Sequence, residues 1–392
     1  MFSNKIKLSL FLCLSMCLGI GILRFSYTAL LPSTREAFGW SPSFASILGS
    51  ANLLGYLIGA FWAMKLPQNK SMVNYIQLAA IAGTLSLLSC AFSGFSELWY
   101  STWRVISGIS GGLLMILSPS VVAQCSQLQD RFKINFIGFS GIGLGVLMAT
   151  LFLPYIQDIS TMWAWLILFS FSSLICMLLS VLLKSFKLQL TTLTAIPAVE
   201  HKVDGIFYCL LIVYSTSAFA YVPHSLFWID YLTHTLHLSP IGINFNWILY
   251  GLGSALGAFA AYCLAQKLGN ISALKILYSS YVLAIFIAII NIHPLFTFLS
   301  SFATGLLNPA VVFLTSYTIL QIYGSAYKKL WSIATLCFAS IQLIGGISFS
   351  FLQRIGIDYS QQFILAACVL LIGTLQLFWF TRTAKLSKHL SR

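Results

Sequence analysis

The sequence is dominated by long apolar stretches that recur along nearly its whole length. A helix that crosses the hydrocarbon core of a bilayer needs about 20 mainly apolar residues. Only 7% of the residues are charged and the mean hydropathy is +0.91, whereas a soluble domain has about a quarter of its residues charged. The pattern predicts an all-α membrane protein with twelve transmembrane helices, near residues 7–31, 43–64, 72–92, 98–123, 134–156, 162–183, 205–228, 241–265, 272–291, 295–322, 331–352 and 362–381.

The positive charge is arranged as in a membrane protein rather than in a nucleic-acid-binding protein. The formal net charge is +13, but Lys and Arg lie in short runs between the apolar stretches and form no basic face on a soluble module. With the N-terminus inside, most of them, including Lys328 and Lys329, fall in cytoplasmic segments, as the positive-inside rule requires. We therefore expect a multi-pass protein of the bacterial inner (cytoplasmic) membrane with both termini cytoplasmic.

A polar and basic connection divides the chain into two halves that carry a trace of internal repetition. The connection spans residues 184–204, so we predict six-helix bundles at 1–183 and 205–392, the second with a short basic cytoplasmic tail. Residues 55–63 (GYLIGAFWA) recur as residues 253–261 (GSALGAFAA), about half a chain later. Small residues at this spacing let membrane helices approach closely. Their recurrence favours two pseudo-symmetric parallel repeats.

Patterns typical of an enzyme, a metal site or a bound cofactor are missing from the sequence. It has no HExxH motif, no paired aspartates within the apolar stretches and no GxxxxGK[ST] loop for the phosphates of ATP. The nine cysteines fall mostly in apolar stretches and form no CxxC pair. We therefore predict no enzymatic activity, no cofactor and no metal, and we interpret the cysteines as packing residues.

The most specific segment is residues 19–32, with the sequence GIGILRFSYTALLP. Together with residues 50–59 (SANLLGYLIG) and 103–108 (WRVISG), it resembles the major facilitator superfamily, and within it the YbfB/YjiJ-type branch of bacterial transporters. The resemblance implies the major facilitator fold, transport by alternating access, and a central cavity lined by the first, fourth, seventh and tenth helices. Residues 65–70 (KLPQNK) depart from the family by lacking its acidic gating signature.

Two arginines lie inside apolar stretches, Arg24 in the first and Arg104 in the fourth. A charged side chain near the bilayer centre costs at least ~2.5–3.5 kcal/mol, so it normally faces a cavity or a partner. All eight acidic residues fall in loops or near helix ends, which favours an anionic substrate as the missing counter-charge. Two alternatives remain open: Arg24 can snorkel outward or bond carbonyl groups, and Arg104 can be a conformational latch bonded to backbone and polar groups.

Polar residues at helical spacing mark further candidates for the cavity. Histidine can change charge between pH 5 and 8, so His224 is the first candidate for proton coupling, and Asp230 is the second. Hydrogen bonding between helices is the structural alternative for each polar side chain. The predicted substrate-binding set is Arg24, Tyr27, Asn52, Tyr56, Arg104, Tyr221, His224, Asn308 and Gln342.

These features favour a secondary active transporter that moves a small anionic or carboxylate-bearing solute by alternating access, with protons as the candidate coupling ion. An efflux pump for drugs, or for a secreted metabolite such as a carboxylate siderophore, is an alternative within transport. A non-transporting membrane sensor or channel is the alternative of another class. The expected partners are the small-molecule substrate, the lipid bilayer and protons, with no nucleic acid, and the chain is expected to act as a monomer.

Overall fold

The computed structural model describes residues 3–157, 160–192, 203–290 and 293–383, and this part of the chain is helical without a strand. The prediction of an all-α protein is confirmed. The helices are α1 (Asn4–Met16), α2 (Leu23–Phe38), α3 (Pro42–Lys65), α4 (Ser71–Leu88), α5 (Glu97–Cys125), α6 (Arg131–Gln157), α7 (Thr161–Thr192), α8 (Gly205–Val222), α9 (Trp228–Asp230), α10 (Pro240–Leu268), α11 (Asn270–Ile287), α12 (Pro294–Tyr323), α13 (Tyr327–Arg354) and α14 (Tyr359–Thr383). Three π-helical segments interrupt them: π1 (Cys17–Ile22) between α1 and α2, π2 (Pro223–Phe227) before α9, and π3 (Tyr231–Thr235) after it.

Eleven helical stretches of the described residues are long and apolar enough to cross a membrane. The tenth, Pro294–Arg354, has 61 residues and contains both α12 and α13, which a short 3-10 turn at Gly324–Ala326 joins. A stretch of that length holds about two bilayer-spanning helices. The total of twelve crossings and the cytoplasmic location of the termini remain predictions.

Contacts between helices divide the chain into two compact units. The first contains residues 1–200 and 323–336, and the second contains residues 201–322 and 337–392. Of the predicted connection at 184–204, residues 184–192 are the helical end of α7, and residues 193–202 lie outside the described residues, as do residues 384–392 of the predicted basic tail. α7 continues to Thr192, and α8 begins at Gly205, where the Asp204 carboxylate accepts hydrogen bonds from two backbone N–H groups of the first turn.

Glycines bring one pair of helices in each unit into backbone contact. In the first unit, a Cβ added to Gly55 of α3 would lie 2.1 Å from the carbonyl oxygen of Val105 in α5. In the second unit, a Cβ added to Gly253 of α10 would lie 2.2 Å from the carbonyl oxygen of Phe302 in α12. The repeat noticed in the sequence therefore corresponds to the same close approach in both units.

A proline explains why residues 323–336 pack with the first unit. Pro119 lies inside α5, and because proline has no N–H, the carbonyl of Met115 one turn earlier loses its usual helical donor. The indole Nε1 of Trp331 donates to that oxygen at 3.1 Å. Lys328 is 4% exposed, and its ammonium donates to the carbonyl oxygens of Leu66 and Met64 at the end of α3, where the helix dipole favours a cation.

The membrane orientation can be tested with two exposed basic residues at opposite predicted sides, Arg35 at the end of α2 and Lys70 between α3 and α4. In a background without the native cysteines, Arg35→Cys is expected to react with a membrane-impermeant maleimide added to intact cells, and Lys70→Cys is not. Lysed cells provide the control in which both react. The opposite labelling pattern would reverse the predicted topology.

Candidate functional site

The side chain of Arg24 lies on α2 and is only partly buried. Its guanidinium carbon is 5.9 Å from the ring centroid of Tyr56 and 5.8 Å from that of Phe25, distances at which a cation interacts with the face of an aromatic ring. Among the described residues, no carboxylate and no hydrogen-bond acceptor contacts it. Arg24 therefore retains its charge and all its donors for another group.

The side chain of Arg104 on α5 is in a different state, because it is 3% exposed and already bonded. Its Nε donates to the carbonyl oxygen of Leu48 at 3.5 Å and its Nη1 to that of Leu23 at 3.4 Å. Its guanidinium carbon lies 4.0 Å from the ring centroid of Tyr27. Arg104 thus joins the start of α2 to α3 through backbone oxygens, as the latch alternative requires.

Three neighbours complete the surroundings of Arg104. The hydroxyl of Tyr27 donates to the carbonyl oxygen of Ala45 at 3.1 Å, and the amide of Asn52 donates to the carbonyl oxygen of Arg104 itself at 3.4 Å. The third neighbour, Cys90, is buried, and a buried thiol behaves as a small apolar side chain.

The segment π1 positions the carbonyl that Arg104 binds. It packs closely between two helices, which is possible because Gly19 and Gly21 have no Cβ. A Cβ added to Gly19 would lie 2.9 Å from Leu114 of α5, and one added to Gly21 would lie 2.6 Å from Gly145 of α6. A π-helical turn shifts the hydrogen-bond register of a helix and leaves backbone groups open to side chains. Directly after π1, the carbonyl oxygen of Leu23 accepts from both Arg104 and, at 3.1 Å, the hydroxyl of Ser107.

In the second unit, His224 lies in π2 and is 1% exposed. Its Nε2 is 2.9 Å from the hydroxyl of Ser300 and 3.4 Å from that of Thr304, both on α12. Its ring stacks on Trp228 with 4.6 Å between centroids, and the indole of Trp228 donates to the hydroxyl of Ser301 at 2.9 Å. His224 therefore belongs to a buried hydrogen-bonded cluster, and its Nδ1 has no partner within the described part of the chain.

The other predicted residues of the second unit differ in whether their polar atoms have hydrogen-bond partners. The hydroxyls of Tyr221 and Tyr250 share a hydrogen bond. Asn308 is 8% exposed and its Oδ1 has no partner, and Gln342 is 0% exposed with neither amide atom bonded, within the residues described. Asp230 is exposed at the end of α9, and its charge interacts electrostatically with Tyr359 at the start of α14.

The unpartnered amide of Gln342 lies on the face of α13 that packs against α8. One turn before it, the ring of Phe338 lies 4.7 Å from that of Tyr214. One turn after it, a Cβ on Gly345 would lie 2.9 Å from Val222. A buried amide without a partner is costly, so a hydrogen-bonding group placed beside Gln342 would lower that cost.

Sequence analysis missed three positions whose contacts the structure reveals. Ser300 and Trp228 contact His224, and Lys328 was expected in a loop but is buried against the end of α3. The position of Lys328 could have been predicted, since the spacing of Tyr327, Lys328 and Trp331 places them on one face of a helix. No pattern of residue types marked Ser300, because its role depends on the position of π2.

The arrangement contains charge and hydrogen-bonding groups without a catalytic constellation. Within the described residues, no group of three or more His, Cys, Asp or Glu side chains is placed to hold a metal ion. In the described part of the first unit, the guanidinium of Arg24 has spare bonding capacity and can bind an anion. In that of the second unit, the Nδ1 of His224 and the amides of Asn308 and Gln342 have spare bonding capacity and can take part in proton binding or hydrogen bonding.

Comparisons with known proteins identify the fold and the family. The human organic anion transporter MFSD10 (TETRAN) has a similar structure, with a TM-score of 0.74 and 15% identity over 96% of this chain and 100% of that chain. The proton:xylose symporter XylE, solved with 6-bromo-6-deoxy-D-glucose, gives a TM-score of 0.75 and 15% identity over 96% of this chain and 95% of that chain. Residues 16–377 match the family model described as "Uncharacterised MFS-type transporter YbfB". The chain therefore belongs to this family of major facilitator superfamily transporters, and it is a multi-pass membrane protein and a secondary transporter rather than an enzyme.

Proposed function

We propose that the protein transports a small anionic solute, such as a carboxylate, and that Arg24 binds the negative charge. Transport proceeds by alternating access in the bacterial inner membrane, the protein acts as a monomer, and protons are coupled through His224 or Asp230. The two proteins of similar structure share this fold, but one is an organic anion transporter and the other is a proton:xylose symporter. The solute class must therefore be argued from the side chains of this chain.

The observation that carries the proposal is the contrast between Arg24 and Arg104. Arg104 is bonded to the carbonyl oxygens of Leu23 and Leu48, whereas within the described residues the guanidinium of Arg24 lies over two aromatic rings and makes no hydrogen bond or ion pair. A cation at membrane depth is expensive unless a partner neutralises it. A carboxylate can accept two parallel hydrogen bonds from a guanidinium, so an anionic solute is the partner that this chemistry favours.

Within the second unit, the uncommitted amides of Asn308 and Gln342 are candidates for hydrogen bonds to polar groups of a solute. Each is buried with at least one atom lacking a partner in the described structure, and an unsatisfied buried polar group costs about 1–3 kcal/mol. A bound solute or a water molecule would remove that cost. Neutral amides bond hydroxyl, carbonyl or amide groups without selecting for charge.

The proposal is tested by thermal unfolding of the purified protein with matched pairs of ligands, each pair being a carboxylate and its amide or methyl ester. A ligand that binds only the folded state adds about 2.7 kcal/mol of stability at 100 times its dissociation constant. Carboxylates are expected to raise the melting temperature and their neutral partners are not. Equal stabilisation by both members of every pair would contradict the anionic class.

Transport itself is tested in proteoliposomes loaded with the ligand that stabilises the protein. A carrier exchanges labelled for unlabelled solute and saturates with concentration. Flux that neither saturates nor shows counterflow indicates a channel. Binding without flux indicates a sensor. Either result would overturn alternating access for this chain.

A further inference from the structure

The two units contain corresponding three-helix junctions. The glycines that place α3 against α5 and α10 against α12 set the correspondence between the units. A second pair confirms the register, since a Cβ on Gly59 would lie 2.3 Å from the carbonyl oxygen of Ile109, and one on Gly257 would lie 2.3 Å from that of Leu306. Positions in α3 and α10, and in α5 and α12, can therefore be matched residue by residue.

This register matches Arg104 with Ser301 and Leu48 with Asn246. In the first unit, Arg104 donates to the carbonyl oxygen of Leu48. In the second unit, the hydroxyl of Ser301 donates to the Oδ1 of Asn246 at 2.7 Å. The same pair of positions thus joins the two helices in each unit, but the first junction carries a permanent positive charge and the second a neutral hydroxyl.

The third helix of each junction also corresponds. In the first unit, Arg104 donates to the carbonyl oxygen of Leu23, directly after π1. In the second unit, Ser301 accepts from the indole of Trp228, directly after π2. The register further matches Ser107, which bonds Leu23, with Thr304, which bonds His224. Both junctions therefore hold a helix next to a π-helical segment.

The hydrogen bonds of Ser300 favour one tautomer of His224. The hydroxyl of Ser300 donates to the carbonyl oxygen of Ala284 at 2.8 Å, so its single hydrogen is used there and the oxygen accepts from the Nε2–H of His224. Nδ1 then carries a lone pair, and within the described residues no donor meets it.

No charged group faces His224 from the helices packed around it, among the residues described. α12 presents hydroxyls, α14 presents the ring of Phe363 at 5.0 Å, and α9 presents Trp228. Tyr231 is a second titratable group near His224, since it contacts Trp228 and Phe363, and the charge of Asp358 interacts with Tyr231. The buried Tyr281 lies on α11, one turn before the Ala284 carbonyl that Ser300 bonds. A buried imidazole without an anionic partner is neutral, because an unpaired buried charge is costly.

We infer that His224 is the proton-binding switch of the second junction, and that proton binding at Nδ1 favours a state in which this junction opens to water. The inference deepens the proposed function and rests on it for its role in transport. The proton comes from water and adds to the Nδ1 lone pair, and no other bond changes. The imidazolium then carries at the second junction the charge that Arg104 carries permanently at the first. Only the second junction responds to pH, because a guanidinium remains protonated.

Two measurements on purified, substrate-free protein test the switch. In ¹⁵N-histidine NMR, the His224 signal is assigned by its loss in His224→Gln, and at neutral pH it should show a protonated Nε2 and a bare Nδ1. In hydrogen–deuterium exchange, corrected for the intrinsic effect of pH, peptides from π2 and α12 should lose protection on acidification, by up to about tenfold per pH unit for one coupled proton. Peptides from α2 and α5 are the internal control and should not change.

His224→Gln is the matched variant, because its amide can still donate to Ser300 but cannot bind a proton. Its π2 and α12 peptides should keep their protection at every pH at which the variant remains folded. The inference is overturned by a protonated Nδ1 with a bare Nε2, or by the same loss of protection in the variant as in the wild type. Each result is obtained without a transported solute.

A transport measurement separates failure of the switch from failure of the proposed function. In proteoliposomes, His224→Gln should lose accumulation driven by a pH gradient, measured relative to the variant's own rate of solute counterflow. Counterflow with unchanged gradient-driven accumulation refutes the switch and leaves the transport proposal intact. If the wild type binds and exchanges no anion, the proposed substrate class fails, and the NMR and exchange results still decide whether His224 switches the junction.

Discussion

Replacing Arg24 with glutamine is expected to weaken binding of the anionic solute by roughly tenfold to hundredfold. A charge-assisted hydrogen bond contributes on the order of 1.5–3 kcal/mol, and each 1.4 kcal/mol is about a factor of ten in the dissociation constant. Arg24 makes no hydrogen bond or ion pair among the described residues and only cation–π contacts with Phe25 and Tyr56, so its loss should leave the fold largely unchanged. Titration calorimetry of the purified variant, with thermal unfolding to verify folding, measures both effects.

Two further variants serve as controls for that result. Arg24→Lys keeps the charge but loses the planar fork, so binding should weaken less than in Arg24→Gln. Arg104→Gln removes the bonds to Leu23 and Leu48, and it should lower the melting temperature or trap one access state while preserving solute affinity. Wild-type affinity in Arg24→Gln would exclude Arg24 as the anion-binding group.

Replacing Gly55 with alanine is expected to destabilise the protein by about 1–3 kcal/mol or more, the usual cost of overpacking a dense interior. The added Cβ would lie 2.1 Å from the carbonyl oxygen of Val105 and within 3 Å of two other backbone atoms of the same residue. Backbone atoms of a packed helix cannot move aside as a side chain can. Thermal unfolding of the purified variant, together with its yield of monodisperse protein, measures the loss.

Gly49→Ala is the matched control because it places the same substitution on the same helix, where nothing lies within 4 Å of the added Cβ. Alanine is a better helix former than glycine by about 0.8–1.0 kcal/mol, so Gly49→Ala should be neutral or stabilising. Gly253→Ala, at the corresponding position of the second unit, should repeat the loss seen for Gly55→Ala. Similar stability of all three variants would refute close backbone contact at these helices.

Much of the helical architecture could be predicted because lipid leaves few alternatives. A backbone in hydrocarbon must satisfy its own hydrogen bonds, so long apolar stretches predict helices, and α8 begins at Gly205 as expected. The end of α7 was less predictable, because a helix can continue beyond the bilayer into polar sequence, as α7 does to Thr192. The recurring glycines likewise predicted close helix contacts, which depend only on small side chains at a fixed spacing.

The partners of the candidate residues were less predictable, because many of them are backbone atoms. Arg104 was predicted as a candidate from its charge alone. Its hydrogen bonds are to the backbone carbonyls of Leu23 and Leu48, and no pattern of residue types predicts which backbone carbonyls a side chain will reach. The bonding of His224 depends on the change of register at π2. A pattern of residue types predicts which side chains need partners, whereas a local change of helix type decides which backbone atoms are available.

The membership of residues 323–336 in the first unit has a consequence for the order in which the protein assembles during synthesis. A chain that has emerged only as far as residue 200 has all of α3 and α5, but it lacks the indole of Trp331 for the carbonyl of Met115 and the ammonium of Lys328 for that of Leu66. Those donors are translated only after most of the second unit. We therefore expect the first unit to complete these contacts only after α13 has been synthesised.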